Sequence, residues 1–172
     1  MRGIRRWLLV LVIVLAAVVA LIGAIGLALP KAHEATRSAR IGAPAEAIYP
    51  VLITPEGYPQ WRPDVERVER LDSDRFREVG ENGPMVFRIL QRTPPSRVVV
   101  ALDDPDQPFS GTWTIELSQE ADGTRVRITE RGEVPNPFFR AIARMMMLPT
   151  DSIEAYLRNL GRRFNQDVTI DP

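Results

Sequence analysis

The sequence predicts an α+β protein: a strongly curved antiparallel sheet of about seven strands around a long C-terminal helix, preceded by one transmembrane helix. Three observations carry this. Trp7–Leu29 reads WLLVLVIVLAAVVALIGAIGLAL, with no charged or strongly polar side chain. From Asp64 to Gly132, short runs alternating apolar and polar residues are separated by Asp, Asn, Gly and Pro turns, the pattern of hairpins with one wet and one covered face. After Thr150 the period becomes helical, with Ile153, Tyr156, Leu157, Leu160 and Phe164 on one stripe.

As a helix, Trp7–Leu29 extends about 35 Å, enough to cross a hydrocarbon core of roughly 30 Å with some tilt. Arg2, Arg5 and Arg6 precede it. A cleaved signal peptide has an apolar stretch of only about 7–15 residues, and the one fair cleavage pattern is Gly26-Leu27-Ala28, so the segment reads as a retained anchor. Lys31, Arg37 and Arg40 lie beyond its other end, but the compact arginine cluster sits on the short tail. A single-pass membrane protein with a cytoplasmic N-terminus and residues 31–172 outside the cytoplasm is expected. Ala16, Ala20, Ala24 and Ala28 form a small-xxx-small stripe through which two anchors can approach as a homodimer.

The organisation read from this is a basic tail at 1–6, the transmembrane helix at 7–29, a linker at 30–35 and one folded domain at 36–168. Setting aside the three tail arginines, 19 basic residues face 22 acidic ones, which argues against nucleic acid as a partner. There is no cysteine, so disulfides and Cys-based metal or redox chemistry are excluded. No spacing calls for a metal or a cofactor.

Within the domain, Thr36–Ile41 reads as the first strand. A helix follows, opened by Pro44, with Ile48, Val51 and Leu52 on one face and weakened or kinked by Pro50. Thr54–Gly57 breaks the chain, and Tyr58–Pro63 makes a short helical or turn segment. Strands are expected at Val65–Leu71, Arg75–Gly80, Met85–Gln91, Arg97–Leu102, Gly111–Ser118 and Arg125–Gly132, with turns such as Asp72–Asp74, Asn82–Pro84 and Ala121–Gly123 between them. Pro137 opens a helix whose Phe138, Phe139, Ile142 and Met146 share a face. Leu148-Pro149 breaks it, and the last helix runs from Thr150. One amphipathic helix cannot fill the concavity of such a sheet, so an internal cavity is expected.

This order, with Ile41–Ile48 (IGAPAEAI), Tyr58–Pro63 (YPQWRP), Phe109–Thr114 (FSGTWT), Ile128–Glu133 (ITERGE) and Tyr156–Leu160 (YLRNL), resembles the START-like superfamily, also called SRPBCC or polyketide cyclase/dehydrase-like. The resemblance covers roughly residues 35–166. It implies the helix-grip fold and a cavity that binds hydrophobic or amphipathic small molecules such as lipids, sterols or polyketides. It implies no single reaction, because the family shares a cavity and not a catalytic set.

GxGxxG, GxxxxGK[ST], HExxH and GxSxG motifs are all missing. The lone histidine, His33, follows the span by four residues and reads as a linker residue. Glu130 is the candidate catalytic residue. It continues the Val126, Ile128 parity toward the covered face, where burial would raise its pKa and suit it to general acid–base work. The competing expectation, the stronger of the two, is a strand-end carboxylate, solvated or paired with Arg88 or Arg131. Asp103–Asp106 reads as a solvated acidic loop. Candidate ligand-binding residues are Tyr58, Trp61, Phe76, Phe87, Trp113, Phe138, Met146 and Tyr156. The first functional expectation is a membrane-anchored domain that binds a hydrophobic, lipid-like ligand in an internal cavity without defined catalysis. The alternatives are a polyketide cyclase/dehydratase-type enzyme using a cavity carboxylate and a protein-interaction module of the cell envelope.

Overall fold

A computed structural model describes residues 2–80, 83–146 and 150–172. The chain forms two compact units, Met1–Lys31 with Val134–Met147, and Ala32–Glu133 with Leu148–Pro172.

The first unit holds helix α1 (Arg2–Ala28) and, later in the chain, helix α3 (Pro137–Met146). Within α1, Arg6–Ala28 is long and apolar enough to cross a membrane. The Asn136 side chain caps α3 by accepting the backbone N–H groups of Phe138 and Phe139, at 2.9 and 3.1 Å. Pro137 occupies the first helical position, where its missing N–H costs nothing.

The second unit is the sheet and its helix. It runs β1 (Ala32–Ile41), α2 (Ala45–Ile53), a 3-10 turn (Pro55–Gln60), β2 (Val65–Arg70), β3 (Arg75–Gly80), β4 (Gly83–Thr93), β5 (Arg97–Leu102), β6 (Ser110–Glu120), β7 (Gly123–Glu133), α4 (Asp151–Arg163) and β8 (Ile170–Asp171). The strands form one antiparallel sheet in the order β2-β3-β4-β5-β6-β7-β1-β8, with register shifts in β2 and β4 that add curvature. Inward-facing Ala39, Ile41, Val98, Ile115, Leu117, Val126 and Ile128 pack with Ile153, Leu157 and Leu160 of α4, all buried in one core. Arg37 of β1 fixes the helix to the sheet by donating from Nε to Glu154 at 3.2 Å.

Three features differ from the sequence reading. β1 starts at Ala32, so the last four residues of the expected linker are strand, paired with Glu133 to Glu130 of β7. Pro50 sits inside α2 without ending it. An eighth strand of two residues, beyond the expected end of the domain, pairs Ile170 and Asp171 with Ala39 and Ser38. Asn82 and the expected break at Leu148-Pro149 lie outside the described residues.

Candidate functional site

The register fixes which side chains meet on the concave face. Inward rows cross β5, β6, β7 and β1 as Val98–Ile115–Ile128–Arg37, then Val100–Trp113–Glu130–Ala35. The next row is Gly111–Gly132–His33. Burial is complete at Ile128 and Val126 and relaxes to half-buried at Trp113, Glu130 and His33, so the face is sealed at one end and opens at the other.

At that opening end three side chains bond. The Trp113 indole Nε1–H donates to Glu130 Oε2 at 2.9 Å, and His33 Nε2 lies 3.2 Å from Glu130 Oε1. Two small residues make this possible. Ala35, opposite Glu130, leaves room on that flank, and Gly132 lies under the imidazole, where a Cβ would stand 2.3 Å from His33 Cε1. A carboxylate only accepts, so this contact calls for the His33 tautomer that carries hydrogen on Nε2.

β7 is regular through Glu133, so Glu130 is not at a strand end, and neither expected arginine is its partner. Arg88 pairs with Asp103 at 2.8 Å and Arg131 with Glu34 at 2.8 Å, both on the outward parity. His33 is corrected from a linker residue to a member of β1 in contact with Glu130. Extending the inward alternation Ile41, Ala39, Arg37, Ala35 by one step would have found it. Its closeness in sequence to the apolar segment of α1 obscured it.

Six of the eight expected ligand-binding residues form one continuous file of rings. Phe87 stacks on Phe76 at 5.7 Å, and Phe76 meets Tyr58 edge-on at 6.0 Å. Tyr58 meets Trp61 at 5.6 Å, Trp61 meets Tyr156 at 5.1 Å, and Tyr156 meets Trp113 at 5.4 Å. The file ends at the Trp113–Glu130–His33 group. Tyr58, Trp61, Phe76 and Tyr156 are buried against one another, with edge-to-face packing at three of their contacts. Phe138 belongs to the other unit, and the Met146 side chain lies outside the described residues.

A buried ion pair supports the file. Arg62 donates to Glu78 at 2.8 Å and Asp64 at 2.7 Å, and its guanidinium lies 5.2 Å from the Tyr58 ring centre and 5.5 Å from that of Tyr156. Burial opposes the Arg62 charge, but Glu78 and Asp64 outweigh it and hold its pKa above the ordinary value. Burial dominates at Glu78, whose pKa is raised despite Arg62, and it also raises Tyr58 and Tyr156.

A hollow of about 610 Å³ lies at the rim beside His33. Four of its lining residues, His33, Leu102, Gly111 and Gly132, continue the inward rows, and seven have the outward parity of Ala101, Thr112 and Arg131. It therefore wraps the sheet's end, and no ring of the aromatic file lines it. Among the described residues, no group of three His, Asp or Glu is placed to hold a metal ion. Asp103 and Asp104 are occupied, the first by Arg88 and the second by the Val86 N–H.

Comparison with known proteins gives this geometry its context. A comparison with curated proteins finds no match. The structure is similar to a START superfamily protein from Mycobacterium smegmatis (TM-score 0.61, 19% identity, 77% of this chain and 97% of that one). It is similar to norcoclaurine synthase from Thalictrum flavum (TM-score 0.63, 13% identity, 77% and 86%). It also resembles the di-domain ARO/CYC BexL from the BE-7585A biosynthetic pathway (TM-score 0.62, 14% identity, 78% and 50%). These likenesses establish the START-like helix-grip fold. Residues 32–165 match the family model described as polyketide cyclase / dehydrase and lipid transport, and with most of its length matched the chain belongs to that family.

Proposed function

We propose that this protein is a membrane-anchored binding domain for a hydrophobic or amphipathic, lipid-like molecule, whose polar head is met by Trp113, Glu130 and His33, with no defined catalytic set. The observation that carries this is the placement of that polar triplet. It stands at the half-buried end of the concave face, where three strands meet, and its His33 lies on β1, which starts after a three-residue connection from the apolar helix. The four Cα steps from Ala28 to Ala32 extend at most about 14 Å, so with α1 in a bilayer, N-terminus cytoplasmic, the chain enters β1 within that reach of the end of the span. The alanine stripe of α1 gives the anchor a route to self-association.

The test is equilibrium titration of the full chain in micelles with an acyl chain bearing an environment-sensitive fluorophore. Saturable binding, weakened by Glu130→Gln and competed by unlabelled amphiphiles, is expected. Partitioning no different from that into empty micelles overturns the reading.

One observation favours a second reading. A carboxylate that orients an imidazole whose other nitrogen is an acceptor is an arrangement suited to taking a proton from a carbon next to a carbonyl. On that reading the protein is a cyclase/dehydratase-type enzyme acting on a hydrophobic ketone, with His33 accepting the proton and Glu130 stabilising the imidazolium. Turnover of such a ketone that is lost in both His33→Ala and Glu130→Gln would establish it.

A further inference from the structure

The first unit contains a buried arginine that the ligand site does not use. Arg140 of α3 is only 6% exposed, yet it has no carboxylate partner among the described residues. Its guanidinium donates to four backbone carbonyls instead: Nη1 to Gly26 and Leu29, both at 2.8 Å, Nε to Val134 at 2.9 Å and Nη2 to Pro135 at 2.8 Å.

The sequence explains the need. In a continuing helix the Gly26 carbonyl would be taken by the N–H of residue 30, but residue 30 is proline and has none. The last carbonyls of any helix lack partners within it, and a cation there also complements the helix dipole. At the edge of a bilayer an unmet carbonyl is costlier still. Arg140 closes the end of α1 chemically.

The steric fit is equally specific. A Cβ on Gly26 would stand 1.8 Å from the Pro137 carbonyl oxygen, and one on Gly23 would stand 3.0 Å from the tip of the Phe138 ring. Gly23 and Gly26, one turn apart, therefore form the seat on which the first turn of α3 rests. On α3 itself Ala141 is buried, while Phe138 and Ile142, one turn apart, are 42% and 46% exposed. Around that seat α1 itself exposes Leu21, Ile25 and Leu27.

We propose that α3 is a second membrane contact: an interfacial helix lying in the headgroup region, locked by Arg140 and the Gly23/Gly26 seat to an anchor that is retained. This rests on the reading of α1 as a membrane span. The occupant of the Phe138/Ile142 face is lipid, because α3 is seated at Gly23 and Gly26 on the very helix that demands lipid, beside its exposed Leu21, Ile25 and Leu27. Gly26-Leu27-Ala28, the fair cleavage pattern in the sequence, lies inside the clamp, and cutting there would remove one of the four acceptors of Arg140.

The chain has no cysteine, so single reporters can be placed without background. Val14→Cys, Phe138→Cys, Ile142→Cys and, on β4, Gln91→Cys would each carry an environment-sensitive fluorophore. The labelled full chains are reconstituted into phosphatidylcholine/phosphatidylglycerol vesicles containing lipid-borne nitroxide quenchers. Loss of fluorescence at 14, 138 and 142, but not at 91, is expected, with an intact mass that includes residues 1–28. Quenching at 14 with 138 and 142 matching position 91 overturns the interfacial helix and leaves the anchor standing. An absence of quenching at 14, or a mass lacking α1, overturns the anchor reading itself.

Discussion

Glu130 joins two side chains from neighbouring strands, and the small residues around it set what can be changed. Gly132→Ala places a methyl group where the His33 ring lies, so the imidazole must leave Glu130. The atoms met are the far end of a side chain that is 32% exposed, so denaturant unfolding should change little, while amphiphile binding should weaken several-fold. Trp113→Phe keeps a ring against Tyr156 but removes the indole N–H. A hydrogen bond to a charged group is worth about 1.5–3 kcal/mol, and the lower end is expected because the Glu130 side chain retains 19% exposure. How much of this was legible in the sequence divides at the strand boundary. The parity of Val126 and Ile128 already placed Glu130 on the covered face, since alternation is a local property. The inward parity of Trp113 and His33 is equally local, but their pairing was not legible: they lie 17 and 97 residues away in sequence, and only the sheet register brings them to Glu130.

At the scale of elements, α4 and the end of α1 carry the most testable weight. Leu157 and Leu160 are fully buried in the core, and Leu157→Ala should cost about 2–5 kcal/mol in unfolding free energy, as large-to-small core changes do. Arg140→Leu keeps an apolar stem but removes the donor to four carbonyls, of which the buried Gly26 carbonyl is worth about 1–3 kcal/mol when left unmet. Limited proteolysis should then cut between residues 29 and 35, where the wild type resists. The hairpin strands were readable because turn residues bracket short alternating runs. The two-residue β8 was not, since a strand of that length has no periodicity of its own and exists only by pairing with Ser38 and Ala39. The clamp was illegible for the same physical reason, because Arg140 and Gly26 are 114 residues apart.

For the molecule as a whole, charge and location govern behaviour. Glu56, Glu69, Asp72, Asp74 and Glu154 are each held below the ordinary carboxylate value, chiefly by hydrogen bonds from arginine side chains. Their contribution is present above that ordinary value and is lost as pH falls through the depressed folded values. Glu78, raised by burial, acts in the opposite sense: its contribution is fullest at low pH and is lost as pH rises through its raised value. Five against one means that acid should lower the melting temperature. Because the five are solvent-screened, added salt should flatten the effect, and thermal melts across pH at two ionic strengths check both. Whether the domain holds a single amphiphile, as proposed, is tested most directly by native mass spectrometry of the full chain released from lipid nanodiscs. A single amphiphile retained on the wild type and lost from Gly132→Ala is the predicted result. Protein released bare, or an adduct equally abundant on that variant, would contradict it.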